Sequence, residues 1–378
     1  MSRRTRHRPA VGLAALCLAA SVSGCGLFSS EPVASPGPSS RAPSSSDHAA
    51  SQQARTPGPT SRPVGSIALV ADVGESEAGT ASAVAWLGVQ QAAANLDAAR
   101  SMAIPTSVAD LFTDIQTAAT SGANVVVTVG GPAAAATRAA ALAHPSVQFF
   151  TLDQAAAEGA PANLHAIAFD ESEMGYLAGV TAASLSKTGN VGIVGDDDSS
   201  AATANYAAGF RNAALFANRA VIVSFANAGT PADPAKGRAA AAGLVAGGAD
   251  VIAARSDLSG IGAMRGACAR NALVVALDSD AWLLVPDVQS CLVTSVRKLY
   301  DVAIVAAILR YSEGKDVPGL VLSDVAGGGI GLTDFHVTKP AALADRLDRV
   351  LADMQLGPPR MTAAPSPEPT PTPTSSPS

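Results

Sequence analysis

Between residues 65 and 335 the chain alternates short runs of β-branched residues with longer alanine-rich runs. That alternation restricts it to a parallel α/β architecture. The strand candidates are 66–71, 124–129, 147–152, 166–169, 191–194, 220–225, 251–254, 273–277 and 291–296. Most are continuously apolar rather than alternating, as expected of strands covered on both faces by helices. Helices are expected over 82–98, 108–121, 132–143, 171–186, 203–217, 234–246, 258–271 and 299–313. Some 290 residues exceed what one hydrophobic core usually serves, so two lobes are expected within 64–357.

The flanks differ in composition. Arg3, Arg4, Arg6 and Arg8 precede the apolar run 11–20, which is too short to span a bilayer but suits a signal peptide. Val22-Ser23-Gly24-Cys25 then resembles a bacterial lipobox. The resemblance implies cleavage after residue 24, lipidation of Cys25 and a membrane-anchored, extracytoplasmic protein. Residues 25–63 and 358–378 are rich in Ser, Pro and Thr or Ala and lack apolar periodicity. They read as a flexible tether and a disordered tail. Without residues 1–24 the chain keeps 21 basic and 31 acidic side chains, a net charge of −10. Such a surface repels phosphate backbones and argues against a nucleic-acid partner.

Cys268 and Cys291 remain after the signal and lipid cysteines are set aside. In an exported protein they form either a disulfide or a pair of buried thiols. Their spacing fits no metal motif, and five His without a paired pattern suggest no metal site. No Gly-x-Ser-x-Gly elbow or P-loop is present, so no catalytic residues and no cofactor are expected.

Ligands of parallel sheets sit outside the carboxyl ends of strands. Here those ends read Asp72-Val-Gly, Gly130-Gly131, Asp153, Asp170, Gly195-Asp-Asp-Asp198, Asn227 and Asp278-Ser-Asp280. Asp170 and part of Asp196–Asp198 read as helix N-caps. Asp72, Asp278 and Asp280 are the better ligand candidates. Aromatic residues are scarce, and Trp282, Tyr206 and Phe225 stand near strand ends where a ring could face a ligand, although rings at such spacing are more often core.

Several segments together resemble the basic membrane protein family, the PnrA-like nucleoside-binding lipoproteins of ABC importers. They are Ala68-Leu-Val-Ala-Asp-Val-Gly74 with Ala85-Trp-Leu-Gly88, Phe169-Asp-Glu-Ser-Glu-Met-Gly-Tyr-Leu-Ala-Gly179, and Lys187-Thr-Gly-Asn-Val-Gly-Ile-Val-Gly195. Asp233-Pro-Ala-Lys-Gly237, Ser259-Gly-Ile-Gly262, Asp278-Ser-Asp280, Leu292-Val-Thr-Ser-Val-Arg-Lys298 and Gly328-Gly-Ile-Gly-Leu332 follow in order. The resemblance implies a type I periplasmic-binding fold: two Rossmann-like lobes joined by three crossovers, with the ligand between them and hinge closure upon binding. It places 64–168 with 298–357 in lobe 1 and 169–297 in lobe 2. It also implies a monomer that delivers a small polar solute, a nucleoside, to an ABC permease.

On this reading Asp278, Asp280, Lys298 and the backbone at Gly260 and Gly262 hold the ribose. Lys298 either contacts the ligand or pairs with Asp278 or Asp280 to hold the hinge. The family's Asp-x-Ser-Phe-Asn segment is replaced here by Ala78, Ala81 and Ser82 at its acid, aromatic and amide positions. Loss of a stacking ring weakens the nucleoside assignment. The same domain in a ligand-sensing or regulatory lipoprotein with a diverged cleft is the alternative.

Overall fold

In a computed structural model, residues 61–75, 79–154, 159–196, 200–316 and 319–357 are described. The signal peptide, Cys25 and the tether up to residue 60, together with Ala78, Asp197, Asp198 and the tail, lie outside them. The first lobe is built on β1 (Ser66–Val70), β2 (Ala99–Ala103), β3 (Val125–Val129), β4 (Gln148–Leu152), β5 (Leu164–Phe169) and β11 (Gly319–Ser323). Its helices are α1 (Ala81–Leu96), α2 (Val108–Thr120) and α3 (Ala134–Ala143). The second lobe contains β6 (Asn190–Gly195), β7 (Ile222–Asn227), β8 (Val251–Arg255), β9 (Leu273–Asp278), β10 (Leu292–Lys298) and β12 (Ile330–Leu332). Its helices are α4 (Glu171–Leu185), α5 (Ala201–Ala217), α6 (Pro234–Ala246), α7 (Leu258–Cys268), α8 (Ala281–Leu284) and α10 (Ala341–Gln355). Helix α9 (Tyr300–Ser312) packs back onto α1 of the first lobe.

Each lobe is one six-stranded sheet, ordered β11-β5-β4-β3-β1-β2 and β12-β10-β9-β8-β6-β7. All pairings are parallel except β10 with β12. The strands the sequence reading found lie mainly inside these sheets. Val125–Val129 is buried at every position, the pattern of a strand covered on both faces. The order reverses at β1 and at β6, where crevices form at the strand carboxyl ends.

The chain passes between lobes at Asp170, at Leu299 and between β11 and β12, giving three crossovers. The last crossover corrects the lobe boundary expected from sequence. Residues 330–355 belong to the second lobe, because β12 extends its sheet and α10 packs on α4. Leu343, Leu347, Val350 and Met354 form the buried stripe of α10. Helix pairs approach closely in this lobe. A Cβ on Gly175 would overlap the carbonyl of Tyr206, and one on Gly209 the carbonyl of Ser172. Cys268 and Cys291 are joined by a disulfide that ties the end of α7 to β10. No helix among the described residues is long and apolar enough to cross a membrane.

Candidate functional site

Strand ends from both lobes enclose a cleft of about 550 Å³. From the first lobe come Asp72 after β1, Gly130 and Gly131 after β3, and Asp153 and Gln154 after β4. The second lobe contributes Asn205 of α5, Arg255 at the end of β8 with Ser256 and Asp257 beyond it, and Asp278 at the end of β9 with Ser279 beyond it. Glu171, Lys298 and Tyr300 line it from the crossovers.

A charge cluster forms its floor. The Lys298 ammonium, almost fully buried, lies 3.0 Å from both Asp153 carboxylate oxygens and 3.4 Å from Asp278 Oδ1. It therefore links a first-lobe carboxylate to a second-lobe one. Tyr300 donates its hydroxyl to Asp153 Oδ2 at 2.6 Å. Asp278 also accepts from the hydroxyl of the buried Tyr206, and from Arg255 Nε at 2.8 Å. Arg255 Nη1 reaches Asp196 Oδ2 at 2.8 Å, and Thr203 donates to the same carboxylate.

Burial alone would raise the Asp278 carboxyl, but Arg255, Lys298 and the Tyr206 hydroxyl hold it well below the usual carboxylate range. Burial opposes the Lys298 charge, and Asp153 and Asp278 more than restore it, so its pKa rises. Burial raises the Tyr206 and Tyr300 hydroxyls, and the neighbouring carboxylates push them further. Both anchoring carboxylates come from the same place in their lobes, one residue past β4 and the last residue of β9. Both adopt a left-handed backbone, φ 57° at Asp153 and 78° at Asp278. Asp tolerates that region better than most residues, yet it still costs energy. The surrounding ion pairs keep both residues there.

The walls are acidic. Burial raises the Asp72 and Glu171 carboxyls above their ordinary values. Burial also pushes Asp257 up to about 6. Its Oδ1 caps α7 by accepting from Gly260 N at 2.7 Å, and its Oδ2 is buried without a hydrogen-bond partner among the described residues. Gly130 has φ 83°, and a Cβ there would overlap the Asp72 carboxylate, so glycine keeps this wall open.

The sequence candidates separate into groups. Asp72, Asp278 and Lys298 line the cleft. Lys298 pairs with Asp153 and Asp278, not with Asp280. Asp280 caps α8 by accepting from Trp282 N and lies 3.9 Å from Arg297, beside the cleft rather than in it. Gly260 and Gly262 do not face the cleft. Cβ atoms on them would overlap the carbonyls of Arg255 and Pro234, so they serve packing of α7. Trp282 stacks on His336 with centroids 3.7 Å apart. Tyr206 is buried beneath Asp278, and Phe225 lies on the edge strand β7, half exposed. Ala81 lines the cleft, whereas Ser82 is buried, accepting from Asp72 N and donating to Glu75. Arg255, Asp153, Glu171, Asp257 and Tyr300 were not selected from sequence. Arg255 was findable, because it ends β8 as the carboxylates end other strands.

Comparisons with known proteins decide the family. Residues 68–353 match the family described as ABC transporter substrate-binding protein PnrA-like. The chain belongs to this family. Basic membrane protein A1 of Borrelia garinii subsp. bavariensis is 27% identical over 185 residues, 48% of this chain and 55% of that protein. The ABC transporter nucleoside-binding protein BmpA of Lactococcus lactis subsp. cremoris is 30% identical over 146 residues, 39% of this chain and 41% of its own length. The chain thus spans about half the length of the curated relatives it matches. An ABC transporter solute-binding protein from Aeropyrum pernix K1 superposes with a TM-score of 0.58 at 25% identity, over 77% of this chain and 81% of that one. The two-lobed type I binding-protein architecture of this PnrA-like chain agrees with that likeness.

Proposed function

We propose that this PnrA-like protein is the extracytoplasmic substrate-binding component of an ABC importer. It takes an uncharged nucleoside into the interlobe cleft and presents it to a permease. On this reading the mature chain acts as a monomer held to the membrane by lipid on Cys25. The observation that carries the proposal is the charge cluster of Asp153, Lys298, Asp278 and Arg255 at the meeting point of the lobes. It supplies fixed acceptors for vicinal hydroxyls, and carboxylate–hydroxyl bonds are strong in such a setting. Its members neutralise one another, so the cluster positions a solute rather than reacting with it.

The acidic walls set the selectivity. Asp72, Glu171 and Asp257 have no salt-bridge partner among the described residues, and the two cations of the floor are already engaged. A phosphate would meet like charge, which costs several kcal/mol at an interface. Nucleosides should therefore bind and their 5′-monophosphates should bind about 100-fold more weakly or not at all. Calorimetric titration of the chain with adenosine, guanosine, inosine and their monophosphates tests this. Equal affinity for the phosphates, or no heat with any nucleoside, would overturn the reading.

A further inference from the structure

Beside the cleft lies a second cavity, of about 530 Å³, that shares Asp278, Ser279, Lys298 and Tyr300 with it. Its other walls have a different character. Trp86 and Leu87 of α1, Met102 and Ile104 at the end of β2, and Leu283 of α8 line it. Leu87, Ile104 and Leu283 are 57%, 43% and 55% exposed, so an apolar surface drawn from both lobes stands open to solvent. Arg297 and Asp280, a loose pair at 3.9 Å, add a donor and an acceptor to the same lining. The cavity is the size of small-molecule sites, ~300–1,000 Å³, and has their usual make-up of apolar walls with few polar groups.

The main cleft lacks what a planar heterocycle needs. Among its described lining residues the sole aromatic ring is Tyr300, whose hydroxyl is committed to Asp153. Ala81 presents a methyl group there, and Ser82 is turned inward to Asp72 and Glu75. A solute with a polar hydroxylated half and a planar apolar half is thus matched by two adjoining compartments with one common wall.

We propose that the Trp86–Met102–Leu283 cavity is a subsite for the base of the bound nucleoside, with the sugar held at the shared Asp278–Lys298 wall. This rests on the nucleoside reading above and adds where the ring goes. The apolar walls exclude water from the ring faces. Arg297 and Asp280 supply the hydrogen-bond partners that the edge of a base requires.

The chain has two tryptophans, which makes the test direct. In Trp282→Phe, Trp86 is the sole indole. Titration of the full chain carrying this change with inosine or guanosine should alter Trp86 fluorescence in step with the calorimetric isotherm, and ribose should leave it unchanged. Leu283→Glu and Ile104→Glu place a charge at half-exposed positions that the fold tolerates. Each should weaken nucleoside binding at least tenfold while ribose binding stays the same. Calorimetric binding of a nucleoside with silent Trp86 and unaltered affinity in both variants would overturn the subsite and leave the nucleoside reading standing. No binding of any nucleoside to the unaltered chain would overturn both.

Discussion

Removing the Lys298 ammonium tests how the lobes are held together. In Lys298→Met the chain volume is nearly kept, but Asp153 is left with the Tyr300 hydroxyl and Asp278 with Arg255 and Tyr206. Breaking a buried ion pair by deleting one partner costs about 3–5 kcal/mol, because a charge remains buried without compensation. Asp278 keeps its contact with Arg255, and the Asp153 side chain is 26% exposed, so the lower end, about 3 kcal/mol, is expected here. For a domain of this size that is a fall in Tm of roughly 5 °C.

The deficit has a defined pH course. Asp278 is held below its ordinary value of about 3.9, so its stabilising pairing is complete above that pH and is lost as pH falls through the lowered folded value. Lys298 is raised above its ordinary value of about 10.4, so its contribution is complete below that pH and is lost as pH rises through the raised value. The difference between the two proteins should be flat from pH 5 to 9 and shrink below pH 4. Urea denaturation across this range measures it, with the midpoint lowered and the slope unchanged. A deficit under about 1 kcal/mol at pH 7, the scale of an exposed pair, would refute the claim that Lys298 ties the lobes.

Other expectations concern separate parts of the molecule. Glu173 is buried at the third crossover, where its Oε2 accepts from Val325 N at 2.8 Å, and burial pushes it up to about 7. Its folded value exceeds its ordinary one of about 4.3, so its contribution to stability is complete below that pH and is lost as pH rises through about 7, a fall of roughly 2.5 kcal/mol between pH 5 and 8. Glu173→Gln should flatten that dependence in thermal unfolding between pH 5 and 8. Replacing Cys268 and Cys291 together by Ser should cost about 3 kcal/mol in denaturant unfolding, from the loop that the bond closes. Gly130→Ala should lower ligand affinity at least tenfold with a stability loss of about 1–3 kcal/mol, because the methyl group displaces the Asp72 carboxylate and the residue must hold φ 83°. Calorimetry and urea titration on one preparation would separate the two effects.

The lobes were legible because buried parallel strands announce themselves as apolar runs; β11, Gly-Leu-Val-Leu-Ser, escaped although it carries that run, and other elements that escaped lack it. Strand β2 reads Ala-Arg-Ser-Met-Ala on an exposed edge, and β12 has three residues. Helix α10 carries a clear stripe, but its lobe depends on the third crossover, and nothing in its own residues says which sheet it covers. The site divides in the same way. Asp72 and Asp278 were reachable through the rule that ligands gather at strand ends, and the same rule applied to cations would have reached Arg255. What no local rule supplies is which strand ends meet. Lys298 and Asp153 are 145 positions apart and belong to different lobes until the crossovers bring them to 3.0 Å. The rings show the same limit. Trp282 follows an acidic turn as a ligand platform would, yet His336 covers its face, while Trp86, in an alanine-rich helix that reads as core, lines an open cavity. Whether a ring is core or platform depends on what the opposite lobe places against it, so the specificity of a hinged binding protein is encoded in pairs of distant positions rather than in motifs.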